Sequence, residues 1–232
     1  MKVLEQCVTL VTMTPEPLAV IKRMGEICYQ SDSSKTDEVF CKMLINRGHV
    51  SVLEHASMSV IFDTDRGISH EIVRHRVGCS YSQESTRYVK YGDLNVMRQE
   101  VAEAFDTWEG AMLAAEAAYS DLIDKGMKPE VARSVLPTCV KTQIGMTANF
   151  TAWRHFLRLR LSPKAHPMIR KVAAAVWLLL PRVVTSDICM GCGCKPYVWS
   201  NNPIGIHLDS ELLWTPEKGA PKDRYFPLCC CS

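Results

Sequence analysis

Apolar positions along the chain recur with two different periods, and the switches between them predict strands alternating with helices. Val8 to Met13 is rich in β-branched side chains and reads as a first strand. Thr14-Pro15-Glu16 follows as a helix start, with a capping hydroxyl, a Pro at the first helical position and an acid in the first turn. Leu18, Ile21, Met24 and Cys28 then fall on one helical face. A second helix begins at Thr36-Asp37-Glu38, runs through Phe40, Met43 and Leu44, and stops at Gly48. Met58, Val60 and Phe62 alternate with smaller residues, a strand pattern, and Asp65 to Val73 reads as the helix after it. Val101, Phe105, Trp108, Met112, Ala115, Tyr119 and Leu122 recur at spacings of three and four, which predicts a long amphipathic helix ending near Gly126. Packing on the core is its default role, with packing against another subunit the alternative. Pro129-Glu130 opens a short helix that carries Arg133 and stops at Pro137. From Thr138 to Asn149 the alternation returns, with Val140, Thr142, Ile144, Met146 and Ala148 on one side. A helix capped by Asn149 or Thr151 runs to Arg160, and another leads from the Ser162–Pro167 segment to Leu180, where Pro181 ends it.

Composition narrows the class without choosing a function. A chain of 232 residues with 47% hydrophobic residues can bury a substantial core. Its formal net charge of +2 lacks the basic excess expected of a nucleic-acid binder. Met1-Lys2-Val3-Leu4-Glu5 meets charge too early for a secretion signal, and the longest apolar run, Ala173 to Leu180, is too short to span a bilayer. The expectation is a soluble, cytoplasmic protein that binds neither membrane nor nucleic acid. Five of the eleven cysteines, Cys7, Cys28, Cys41, Cys79 and Cys139, are scattered and read as reduced, small buried residues.

The chemistry concentrates in Arg74-His75-Arg76-Val77-Gly78-Cys79-Ser80-Tyr81-Ser82-Gln83-Glu84-Ser85-Thr86-Arg87-Tyr88. Guanidinium forks give bidentate, charge-assisted hydrogen bonds to phosphate, and the hydroxyls add neutral ones to the same anion or to a sugar. The plainer alternative is a solvated charged loop. Glu71 lies three residues before Arg74 on one helical face, which by itself implies a surface ion pair. In the helix that starts at Asn149, Arg154 and Arg158 sit four residues apart and read as a solvent face. No Gly-x-Gly-x-x-Gly fingerprint occurs, so a nucleotide cofactor would be held differently from a Rossmann site. Cys79 near His75 is not a convincing nucleophile pair.

Arg-His-Arg, a polar spacer and Glu-Ser-x-Arg-Tyr resemble the signature of the flavin-dependent thymidylate synthases, with a spacer one residue longer than the commonest form. Two further segments resemble that family: Gly48-His49-Val50-Ser51-Val52-Leu53-Glu54-His55, and the run from Asn149 through His155 to Arg160, in which Thr151 stands where the family often has Arg. The resemblance covers roughly residues 1 to 185. It implies an α+β fold with a central, mostly antiparallel sheet and long helices, in a homotetramer with shared active sites. It implies methylation of dUMP to dTMP, with methylenetetrahydrofolate as carbon donor, reduced FAD as hydride donor and NADPH as the flavin's reductant. Carried over residue by residue, it implies dUMP contacts from Glu71, Arg74, Gln83, Glu84, Ser85, Arg87, Arg133 and Arg160, with Arg160 catalytic at the pyrimidine edge. It implies FAD contacts from Ser51, Arg74, His75, Arg76, Gln83, Asn149 and His155, and no metal site.

Residues 186 to 232 lie outside the resemblance and form a Cys-rich extension to the domain at 1 to 185. Cys189-Met190-Gly191-Cys192-Gly193-Cys194 and Cys229-Cys230-Cys231 allow a thiolate zinc site, but the adjacent triplet lacks Cys-x-x-Cys spacing, and reduced tail cysteines are the alternative. The rival class is a non-enzymatic zinc- or nucleic-acid-binding module, which accounts for these cysteines but for neither the near-neutral charge nor the paired motifs.

Overall fold

A computed structural model describes residues 1–30, 32–89 and 91–188, and the backbone of 205–208. Its strands are β1 (Lys2–Leu4), β2 (Cys7–Met13), β3 (Ser57–Asp65), β4 (Cys79–Gln83), β5 (Asn95–Met97), β6 (Lys141–Asn149) and β7 (Gly205–Leu208). Its α-helices are α1 (Pro17–Tyr29), α2 (Asp37–Asn46), α3 (Arg66–Ile72), α4 (Phe105–Asp124), α5 (Pro129–Ala132), α6 (Phe150–Arg160), α7 (Pro167–Leu179) and α8 (Arg182–Thr185). Five strands form one sheet in the order β4-β6-β3-β2-β7, antiparallel except for the β2–β7 pair, while β1 and β5 pair in parallel beside it.

The alternation read in β6 is the alternation the sheet buries. Thr142, Ile144, Met146 and Ala148 point into the core with Met58, Val60, Phe62 and Thr64 of β3. The other face stays more open, and there Ser59 and Thr147 share a 2.8 Å hydroxyl bond. Among the described residues, helices pack on the apolar face. Trp153 and Phe156 of α6 sit against Phe62, and the Trp153 indole N–H donates to the Met58 carbonyl at 3.0 Å. Helix α7 is buried from Val172 through Trp177, which its Val-Ala-Ala-Ala-Val-Trp run permits by offering no charge to solvate. A second, smaller core gathers Leu94, Val96, Met112, Cys139 and Val140 around β5 and α4.

Local signals account for most element starts. Thr36 accepts from Val39 N, Asp65 from Ile68 N and Asn149 from Ala152 N, so each caps the helix that follows it. The first helix departs from expectation. It opens at Pro17 rather than Pro15, because Glu16 takes a left-handed conformation at φ 44 and the helix can begin only after it. Cys28 is exposed, leaving Ile21 as that face's fully buried residue. The long helix α4 buries only Met112 and Tyr119, and its Leu113 is 49% exposed.

The solvent face expected of Arg154 is overturned. Arg154 is 2% exposed and forms a bidentate pair with Asp187, at 2.8 and 2.7 Å, and also donates to the Val184 carbonyl. Arg158 joins the same carboxylate at 2.8 Å from a half-exposed position. Burial alone would raise the Asp187 pKa, but the hydrogen bonds and charge of Arg154, with Arg158, hold it below the usual carboxylate range. Ile188 is also buried, so Asp187 and Ile188, beyond the expected boundary at 185, pack on the core. The six cysteines of the C-terminal quarter lie outside the described residues. Among the described residues, no helix is long and apolar enough to cross a membrane and no group of three or more His, Cys, Asp or Glu could hold a metal.

Candidate active site

The Arg-His-Arg segment leaves α3 and turns into β4 through Gly78, whose φ of +72 suits a residue without Cβ. The turn is held against the start of α6: Asn149 N donates to the Gly78 carbonyl at 3.3 Å. The loop carrying Ser51 reaches the same place, because Thr151 Oγ1 donates to the Val50 carbonyl at 2.9 Å. Thr151 therefore serves local structure where the related pattern often has an Arg. Arg74, Arg76, Ser51 and His155 are all exposed here. Neither Arg74 nor Arg76 makes a side-chain ion pair among the described residues.

His75 behaves differently from its two neighbours. It is 5% exposed, with its ring edge-on to Phe156 at 5.0 Å and to His155 at 5.6 Å. Its backbone carbonyl accepts from the Tyr81 hydroxyl, which also donates to the Ile72 carbonyl at 3.1 Å. Its Nε2 accepts from Arg160 Nε at 2.9 Å. Burial first, then the Arg160 and His155 charges, push its pKa down to about 4, so the imidazole is neutral near neutral pH.

Arg160 ends α6 but does not cap it. Its guanidinium crosses to α3, where Nη1 meets the Glu71 carboxylate at 2.7 Å and Nη2 the Glu71 carbonyl at 2.8 Å. Glu71 therefore pairs with Arg160 and not with Arg74, the neighbour its helical spacing suggested. The Arg160 side chain is 17% exposed and that of Glu71 33%, so the pair is partly accessible.

The remaining predicted residues form a second group along β4 and beyond. Gln83 donates to Ser69 Oγ at 2.8 Å and to Thr142 Oγ1 at 3.3 Å. The Glu84 carboxylate accepts from Tyr91 at 3.2 Å and from Gln143 N at 3.3 Å, with Lys141 at 3.6 Å. Both side chains are thus engaged within the chain. Arg87 is exposed and pairs loosely with Glu130 at 3.8 Å. Arg133 donates to Thr86 Oγ1 at 2.9 Å, and the Ser85 hydroxyl accepts from Arg87 N at 3.3 Å. Cys79 sits half-buried with its thiol pKa raised by burial, partly offset by a hydrogen bond with Tyr81, the reverse of an activated thiolate.

Sequence reasoning missed Tyr81, Thr86 and Asp187, which hold His75, Arg133 and Arg154. Tyr81 and Thr86 lie inside the motif itself, and only their bonding partners reveal the role. Asp187 lies beyond every motif, and no local pattern marks it.

Fold and site define an α+β protein whose sheet carries, beside helix α6, the exposed arginines Arg74 and Arg76 and an Arg160 held by Glu71 and His75. Comparison with known proteins agrees. Residues 9–184 match the family model Thy1, thymidylate synthase complementing protein. The flavin-dependent thymidylate synthase of Mycobacterium sp. (strain KMS) is 38% identical over 186 residues, spanning 68% of this chain and 73% of the relative. That of Mycolicibacterium gilvum (strain PYR-GCK) is 36% identical over 180 residues, with 67% and 72% covered. The chain belongs to the family of flavin-dependent thymidylate synthases. Two crystal structures share the fold at TM-score 0.67 and 24% identity. One is the UMP/dUMP methylase PolB from Streptomyces cacaoi bound with 5-Br dUMP, covering 79% of this chain and 95% of that one. The other is Thymidylate Synthase X from Helicobacter pylori with FAD and dUMP, covering 79% and 97%.

Proposed function

We propose that this chain methylates dUMP to dTMP, taking the carbon from methylenetetrahydrofolate and using NADPH as reductant. The C5 hydrogen of the uracil leaves as a proton, and the transferred methylene becomes a methyl by gaining a hydride. FAD, when bound, carries that hydride from the nicotinamide to the new carbon. Family membership supports the reading. The observation that carries it is Arg160, held at three donor positions by Glu71 and His75 before any ligand arrives. A fixed guanidinium at the pyrimidine edge stabilises negative charge as C5 becomes nucleophilic.

The residues present fit a flavin nucleotide. Arg74 and Arg76 offer exposed guanidinium groups with no carboxylate beside them among the described residues, as phosphates require. A Cβ at Gly78 would come within 2.9 Å of Asn149 Nδ2 and 3.2 Å of Ala152, so glycine keeps that amide reachable. Since Asn149 Oδ1 caps α6, Nδ2 is what it offers a ligand. Ser51 and His155 would complete this group. Arg87, Arg133 and Ser85 would meet the dUMP phosphate and sugar, with Arg74 between the two nucleotides. Gln83 and Glu84 would contribute only by exchanging the bonds they now make.

The proposed assembly is a homotetramer with shared sites, acting in the cytoplasm. Exposed apolar side chains on one chain support self-association: Leu113 (49%), Val131 (53%) and Val135 (36%), with Tyr88 (80%) and Val77 (92%) beside the motif. Activity would reside in residues 1–188, the expected domain extended by the packed Asp187 and Ile188. The test is an absorbance spectrum of the purified protein, followed by a dUMP-dependent NADPH oxidation assay with methylenetetrahydrofolate. A yellow protein that forms dTMP is expected. A protein that takes up no FAD and forms no dTMP overturns the reading.

A further inference from the structure

We propose that His75 is a positioning residue for Arg160, its side chain acting as a neutral acceptor that fixes the guanidinium without cancelling its charge. The proposal rests on the reading of Arg160 as the group that meets the pyrimidine.

A guanidinium carries five N–H donors and no acceptor, so the 2.9 Å contact requires an unprotonated His75 Nε2. Three of the five donors are engaged, by His75 Nε2, the Glu71 carboxylate and the Glu71 carbonyl, which leaves one N–H on each terminal nitrogen for a substrate. The chemistry of the acceptor matters. Glu71 already supplies one negative charge, and a second carboxylate at position 75 would make the trio net negative and cancel the field at the reacting ring. A cation there would repel the guanidinium. A neutral imidazole holds orientation and leaves the charge balance alone.

The surroundings keep it so. The backbone of His75 is tied by its N–H to the Ile72 carbonyl at 3.2 Å and by its carbonyl to Tyr81 of β4. The ring is edged by Phe156 and His155 of α6. The charged or titratable groups facing it are Arg160 and His155 from α6, with Glu71 of α3 reaching it only through Arg160. Burial most of all, then the Arg160 charge and the neighbouring His155, oppose protonation of this ring.

The experiment compares His75→Leu, His75→Gln and Arg160→Ala in the FAD-loaded protein. Gln places an amide oxygen near the Nε2 position, whereas Leu fills the space without an acceptor. The expected result is that His75→Leu slows dUMP-dependent flavin oxidation in single turnover about a hundredfold, the scale of a misplaced catalytic group. Flavin affinity, read by fluorescence titration, stays near that of the unsubstituted protein, and Gln restores most of the rate. Combining His75→Leu with Arg160→Ala adds no further loss, because the first acts through the second. Loss of flavin affinity in both His75 variants, or losses that multiply in the double variant, would overturn the proposal. A readout independent of activity separates its failure from that of the enzymatic reading. Nitrogen-15 NMR should find His75 Nε2 unprotonated at neutral pH, with a signal that moves in Arg160→Ala. A protonated Nε2 sinks the proposal even if dTMP is made. Absence of dTMP from the unsubstituted protein sinks the enzymatic reading, and the NMR result still decides whether His75 holds Arg160.

Discussion

At the scale of single residues, Arg160 and His75 carry distinct predictions. At a helix end, Arg160 could have served only its own helix dipole, a contribution of about 0.3–1 kcal/mol. Its bonds run instead to Glu71 and His75 on another element, so its loss should register in chemistry. Arg160→Ala is expected to fold and retain FAD yet lose about a hundredfold or more in single-turnover dUMP-dependent flavin oxidation. Lys should restore only part, since it lacks the planar fork. Rates near those of the unsubstituted protein would place the uracil elsewhere. His75 predicts a pH effect on stability. Its folded pKa of about 4 lies below the unfolded value of 6.5, so between these pH values the unfolded chain binds the proton and the folded one does not. Stability from this group is therefore present above pH 6.5 and is lost as pH falls toward 4. His75→Gln, which cannot titrate, should flatten the decline by up to about 1.4 kcal/mol per pH unit. Urea midpoints measured across this range for both proteins check it.

At the scale of elements, α6 is held at both ends of its length by partners on other segments. Asn149 caps its start, Arg160 ties its end to α3, and Arg154 anchors its middle to Asp187 after α8. The Arg154 side chain is 3% exposed and that of Asp187 40%, so removing the carboxylate strands a buried cation while the pair itself keeps some solvent screening. Asp187→Asn should cost about 2 kcal/mol in chemical unfolding, below the range for a fully buried pair. The same contact predicts where the chain can be cut. Truncation after Ile188 should leave a folded, flavin-binding protein, because Asp187 and Ile188 remain and the described strand it removes, β7, pairs only at the sheet edge beside β2. Truncation after Thr185 removes both and should lower the thermal midpoint markedly. Equal midpoints for the two truncations would mean that Asp187 contributes nothing to holding α6.

At the scale of the whole molecule, one chain presents the residues proposed to meet ligands in two groups. Asn149, His155 and Arg160 belong to α6 and its cap, with exposed Arg74 and Arg76 flanking the His75 that packs on it, while Arg87 and Arg133 stand with Thr86 and Glu130 on the side of α5. A site shared between copies would unite them and cover the apolar residues left exposed on α4 and α5. Sedimentation analysis is expected to give a tetramer, and Leu113→Glu combined with Val131→Glu should shift it toward smaller species with reduced activity. A fully active monomer would count against shared sites.

Much of this was legible locally. The burial of β6 follows its alternating pattern, the caps at Thr36, Asp65 and Asn149 follow from their side chains, and the motif residues stood out by type and order. Such features depend on neighbours a few positions away, and backbone geometry alone turns them into faces and helix ends. The sequence also separated Arg74 and Arg76, with their exposed charges, from the apolar runs that build the core. Only the tertiary structure decided that His75, between those two arginines, would turn inward, and that Glu71 would choose Arg160 eighty-nine residues away over Arg74 three away. It alone decided that Arg154 would be buried on Asp187, thirty-three residues on. Charge pairing has no period, and its outcome depends on which elements the apolar faces bring together. Docking α6 across the sheet beside α3 is what chose those partners.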